Sequence, residues 1–294
     1  MAHSHVLLGA GASPARPKIR KIALADLKDI LRMGVDDFAA MPTHAIFLCA
    51  IYPIIGLLLA RLAFGYSILP LLYPLVAGFA LVGPVAALGL YELSRRREAG
   101  LESSASHALD VLQSSSIGAI VALALLLLGI FVLWVAFANA IYIANFGYAP
   151  PSSIAAFIDE LFTTRAGWTL VIVGNGVGFL FAVVVLAISV VSFPLLLDRD
   201  VGVAVALGTS VRAVIANPLV MAAWGVIVAA LLLVGSLPAF LGLTVVIPVL
   251  AHATWHLYRK VVEPIAGHAP KFRKTGKQRR FAADFPAVLF PWAK

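Results

Sequence analysis

Charge is what this chain has least of. Asp, Glu, Lys and Arg supply 12% of its 294 residues, against 62% from the apolar and aromatic set. A soluble domain carries roughly twice that share of charge, so there is too little polar surface here to coat a water-facing core. Acidic residues are the scarcer kind, 14 against 22 Lys and Arg, which leaves a net charge of +8. The one cysteine, Cys49, excludes an intramolecular disulfide framework. Its apolar setting suits a small packed side chain better than a reactive thiol. A secretory leader is excluded as well: Val6-Leu7-Leu8 is far too short for its apolar core, and His3 and His5 precede it. The positive charge sits on no soluble basic domain, which argues against nucleic acid as a partner.

What the chain does have is long apolar runs. Six of them, at about residues 43–64, 70–93, 117–141, 169–197, 218–235 and 241–262, have spanning length. A helix rises 1.5 Å per residue, so about 20 residues cross the hydrocarbon core. The expected fold is therefore all-α: a polytopic membrane helix bundle of six transmembrane helices. Residues 1–22 form a Gly/Ala/Ser/Pro-rich leader that turns basic at Lys18, Arg20 and Lys21, and it is expected to be disordered. Residues 23–263 form the membrane domain. Residues 264–294 form a basic-aromatic tail, either disordered or docked through Phe281, Phe285, Phe290 and Trp292. Lys and Arg gather in the termini and around Arg95-Arg96-Arg97, which predicts a multi-pass protein with both termini cytoplasmic and its basic segments on anionic lipid headgroups.

Short segments punctuate the runs. Leu24–Met41 repeats Leu24, Leu27, Leu31, Phe38 and Met41 at helical spacing, with Asp26, Lys28, Asp29, Arg32, Asp36 and Asp37 largely on the other face, which predicts a surface helix. Gly100–Ser116 is polar and helix-compatible. In the outer loop 145–168, Ser153 is placed to cap a short helix. At Ser192–Pro218 an apolar run stops at Asp198-Arg199-Asp200, a small-residue helix follows, and Asn217-Pro218 ends it.

These segments suggest an internal repeat. Pro42 and Pro218 open the first and last hairpins, with Gly34 and Ser210 eight residues before each. In the closing helices, Pro84, Tyr91 and Arg95 have the spacing of Pro248, Trp255 and Arg259. The middle hairpin fits more loosely. The plan is three parallel units of surface helix plus hairpin, about an axis along the membrane normal.

Leu24-Ala25-Asp26-Leu27, Gly34 with Asp37-Phe38, Asp198-Arg199-Asp200, Ser210-Val211-Arg212-Ala213, Asn217-Pro218 and His252-Ala253-Thr254-Trp255-His256 carry a resemblance. Over roughly 18–263 the chain resembles DUF2189, a family of predicted bacterial integral membrane proteins. The resemblance implies the bacterial inner membrane. Family descriptions loosely associate some members with cytochrome c oxidase subunits, which assigns no residue a role.

Few residues offer chemistry. His252 and His256 share a helical face and, with His44, are candidate metal or haem ligands, with a proton-linked role as a further alternative. Belt positions and interhelical hydrogen bonds are the commoner use of such residues, and no carboxylate or cysteine completes a site nearby. Gly174-Asn175-Gly176-x-Gly178 lies inside an apolar run. That makes it no phosphate loop but a close-packing face at Gly174 and Gly178, with Asn175 bonding across helices or lining a cavity. Asp198, Arg199, Asp200, Arg212, Trp255 and Arg259 mark an interface and set topology, with Arg212 a candidate partner for Asp198, Asp200 or a lipid phosphate. No Ser/His/Asp grouping or intramembrane carboxylate pair is evident, so no catalytic residue and no cofactor is assigned. The expected function is binding: an accessory or assembly partner of a membrane complex, with a respiratory oxidase suggested by the resemblance. The alternative is a carrier or channel for a small or lipid-like molecule, lined by Asn139, Asn175 and the histidines.

Overall fold

The computed structural model describes residues 17–41, 54, 69–81, 83–238 and 240–264. Apart from residue 54, the first expected run, 43–64, lies outside the described residues, His44 and Cys49 included, and so do most of the leader and the tail. Among the described residues the chain is all helical, with a single isolated bridge between Ile19 and Val262 in place of any strand.

Helix α1 (Leu24–Ala40) buries Leu27, Ile30, Gly34 and Asp37, which succeed one another at helical spacing. The Asp26 carboxylate accepts the Ala23 N–H at 2.8 Å and satisfies one of the helix's free amino-terminal donors. Asp37 thus belongs to the buried face and not to the polar one the spacing assigned it.

The second run is interrupted by a turn at Ala87. It forms α2 (Leu69–Leu81), α3 (Gly83–Ala86) and α4 (Leu88–Glu98). Pro74 lies inside α2 and Pro84 inside α3, and each removes a backbone donor. Helix α4 runs beyond the expected end at Leu93. A 3-10 segment follows at Ala105–Gln113.

Helix α5 (Ile117–Phe146) has 30 residues, longer than the expected 117–141. It ends at Gly147, whose φ of 75° lies in the region that favours glycine. Helix α6 (Ile154–Thr163) is capped by Ser153, whose Oγ accepts the Ala156 N–H at 3.0 Å. Helix α7 (Arg165–Ser189) begins four residues before the expected run and breaks before α8 (Ser192–Asp198). Pro194 has no N–H to continue the ladder. The gap is stitched by α9 (Val203–Ala216): the Val191 N–H donates to Ser210 Oγ at 3.2 Å. Helix α10 (Pro218–Ser236) starts with proline at its first turn, and α11 (Leu243–Val261) follows.

Three stretches are long and apolar enough to cross a membrane: α5, α7 running into α8, and α10. The six-helix expectation thus meets three candidate spans among the described residues. Helix α11 is not among them, because its last turns carry His252, His256, Arg259 and Lys260.

Packing follows a pattern. Helix α1 lies along α11, the 3-10 segment lies on α4, and α9 lies across α7 and α8. Helices α4, α8 and α11 pack on one another. Helices α1 and α11 approach closely: a methyl group on Gly34 would sit 2.7 Å from the Ala253 Cβ and 2.8 Å from the Val249 carbonyl oxygen. Ahead of α1 the chain is strapped to the end of α11, with the Arg20 N–H on the Val261 carbonyl at 2.8 Å and the Glu263 N–H on that of Lys18 at 3.0 Å. The Asn217 side chain clasps the same strap, taking the Ile22 N–H at 2.9 Å and giving a hydrogen bond to the Arg20 carbonyl at 3.2 Å.

Candidate functional site

Polar side chains are scarce, so the place where they gather is informative. They gather where α1, α4, α8 and α11 meet.

Asp37 of α1 is the hub, 6% exposed. Its Oδ1 accepts from Arg97 of α4. Its Oδ2 accepts from the Ser94 hydroxyl at 2.6 Å and faces His256 Nε2 at 2.9 Å. Ser94 Oγ is in turn 2.7 Å from His252 Nδ1. His252 is fully buried and Ser94 is 1% exposed. Burial disfavours the Asp37 carboxylate, but the hydrogen bond and charge of His256, helped by His252 and Ser94, outweigh it and hold the pKa below the ordinary 3.8.

A second group lies beside the first. Glu98 of α4 accepts from Trp255 Nε1 at 2.8 Å and from Arg259 Nε at 2.9 Å. Asp198 of α8 accepts from the Tyr258 hydroxyl at 2.5 Å, with Arg259 at 3.4 Å and Arg199 at 3.5 Å. Arg199 also reaches the Glu263 carbonyl at 2.6 Å. The three arginines of the 95–97 cluster are each committed within the protein: Arg95 to Glu92 at 2.6 Å, Arg96 to Asp110 at 3.0 Å, and Arg97 to Asp37.

Asp198, Arg199, Trp255 and Arg259 are therefore brought together, and Asp200 stays exposed outside the group. Arg212 turns back on its own helix, to the Gly208 carbonyl at 3.1 Å and Thr209 Oγ1 at 3.2 Å. Trp255 is buried at 1% exposure on Glu98. His252 and His256 diverge onto Ser94 and Asp37, and among the described residues no group of three His, Cys, Asp or Glu side chains could hold a metal. A Ser/His/Asp grouping does exist, contrary to the expectation of none. Its members come from three separate elements. Ser94 is buried and its hydroxyl is engaged on both sides, so it is closed to a substrate.

Gly174, Asn175 and Gly178 lie elsewhere, on α7. A methyl on Gly178 would meet the Trp134 ring at 2.9 Å, whereas at Gly174 it would find open space among the described residues. Asn175 Oδ1 accepts from the Tyr73 hydroxyl of α2 at 2.7 Å. Gly174, Asn175 and Tyr73 line a cavity of about 130 Å3 with Trp134, Phe157 and other apolar residues. Asn139 and the two histidines are not on its wall.

Sequence reasoning missed Asp37, Ser94 and Glu98 as site residues. One signal was available for Asp37: it is in phase with Leu27, Ile30 and Gly34. Ser94 and Glu98 carry no comparable mark.

No curated protein and no solved structure matches this chain. The family model that does match takes in Ser94, Arg97, Glu98, Asn175 and Asp198, together with the apolar stretches Ile117–Phe146 and Arg165–Asp198. The chain is an integral membrane protein, and its residues 71–198 match DUF2189, described as a predicted integral membrane protein.

Proposed function

We propose that this is a non-enzymatic, multi-pass protein of the bacterial inner membrane that acts by binding, as an accessory or assembly partner of a membrane complex. The observation that carries this reading is the division of its surface. The polar groups are spent on one another at one end, whereas α5 and α10 each expose a set of large apolar side chains: Leu125, Leu126, Val132 and Leu133 from α5, Leu219, Val226 and Leu233 from α10. Such faces suit lipid and the helices of a partner. The six-span, three-unit plan belongs to the same proposal. Its support is that each element preceding a hairpin lies on the closing helix of another: α1 on α11, the 3-10 segment on α4, α9 on α7 and α8. The basic termini would face the cytoplasm and its anionic lipid headgroups. Purification of the tagged full chain in mild detergent tests the reading. A membrane complex that recurrently co-purifies is expected; a lone protein in every preparation would sink it. Reporter fusions at both ends test the orientation.

One observation favours a second reading, transport of a small amphiphilic molecule. The cavity between α2, α5 and α7 carries one polar pair, Tyr73 with Asn175, on an apolar wall. Uptake of such a molecule into vesicles holding the protein, abolished by Asn175→Leu, would establish it; equal uptake by the variant would remove it.

A further inference from the structure

Counting hydrogens at Ser94 decides more than the distances alone. Asp37 is ionised and can only accept: Oδ1 takes Arg97, and Oδ2 takes both the Ser94 hydroxyl and His256 Nε2. A hydroxyl has one proton. That proton is spent on the 2.6 Å contact to Asp37, so the 2.7 Å contact must be completed by a proton on His252 Nδ1. Neutral His252 is then left with a bare Nε2, and this atom is buried with no hydrogen-bond partner among the described residues.

The geometry points to His252 Nε2 as a binding site for one proton, whose occupancy decides whether α1 stays docked on α11. The proton comes from water and returns to it, and no other bond changes. Among the described residues, the groups that bear on the ring come from three helices. From α4 come Arg97 and the Leu90 carbonyl, which bears on the ring without completing a hydrogen bond to Nε2; from α1 comes Asp37; from α11 itself comes His256. A proton at Nε2 makes a buried cation near Arg97, with a new N–H that lacks a full partner. Both features are costly in a dry site. The cost is relieved if the joint opens and water reaches the ring. What covers the ring includes Ser94 and Asp37, so opening means loosening α1, the helix that Asp37 and Gly34 hold against α11.

The test is hydrogen exchange on the full chain in lipid nanodiscs, with each rate referred to its intrinsic value. In the wild type, protection of the α1 amides is expected to fall about tenfold or more between about pH 7 and about pH 5, the range in which a histidine titrates, while α5 stays protected. His252→Asn keeps an N–H donor at the Nδ1 position and cannot take up the proton, so α1 should stay protected throughout. An equal fall in both proteins, or none in the wild type, overturns the proposal. If H252N does not assemble, the wild-type ring nitrogen shifts decide alongside the exchange profile: a protonated Nδ1 with a bare Nε2 at neutral pH supports the site, and a protonated Nε2 overturns it.

Discussion

The two helices of the last hairpin have the same length, 19 residues, and opposite roles. Helix α10 buries four residues and exposes others, among them Leu219, Val226, Leu233 and Val234. Helix α11 buries eleven, among them His252, Trp255, His256 and Tyr258. One is a shaft with an open apolar side, packed on α11 and α1 through the other. The other is an anchor around which α1, α4 and α8 assemble. Length and apolar content describe the shaft completely. They describe only the first turns of the anchor, because its role depends on which polar groups arrive from elsewhere in the chain.

Substitutions should separate the two. Asp37→Ala removes the carboxylate shared by Arg97, Ser94 and His256, and should destabilise the fold by about 3–5 kcal/mol, as breaking a buried pair does. Thermal unfolding in detergent reads this, and an unchanged Tm would erase the anchor's distinction. Gly34→Ala sets a methyl against the Val249 and Ala253 backbone, with an expected cost of about 1–3 kcal/mol. Here α1 should lose exchange protection while α10 keeps it.

Acid should act on the anchor in its own range. The Asp37 pKa is lowered on folding, so its stabilisation is complete above 3.8 and is lost as pH falls through the still lower folded value. The part of the Tm drop that Asp37 causes should begin only below about pH 4, should survive in His252→Asn, where the loosening of α1 at higher pH is absent, and should vanish in Asp37→Asn. At the small end, Val226→Ala or Leu233→Ala on the outward face of α10 should change stability by no more than about 0.5 kcal/mol in detergent. A larger loss would mean that these side chains pack on something in the purified particle.

The apolar runs announced α5, α7 and α10 because a membrane rewards composition, which any stretch carries by itself. The Ser153 cap was legible for the same local reason. The breaks were harder to see. Pro74, Pro84 and Pro194 were visible, but whether a proline bends or severs a helix depends on what satisfies the freed carbonyl or the neighbouring N–H, and at Val191 that is Ser210, nineteen residues on. The candidate site was legible in part. Asp198, Trp255 and Arg259 were singled out as interface markers, and they sit in one ionic group. The Asp37 hub was not, because Asp37, Ser94 and His256 lie far apart in the chain and only folding makes them neighbours. Arg95, Arg96 and Arg97 looked like lipid-facing charge because a sequence displays cations without their partners.

The contact between Asp37 and His256 joins residues 219 positions apart, and this has a consequence for synthesis. Chains grow at about 5–20 residues per second, so α1 leaves the ribosome roughly ten to forty seconds before the helix that receives it exists. During that wait the face of α1 that Gly34 brings against α11 lacks its partner, and the Asp37 carboxylate can be met only by Ser94 and Arg97 of α4. A chain cut short before α11 would leave that face without its partner. Docking of α1 on α11 is thus completed only when translation has reached the end of the last hairpin.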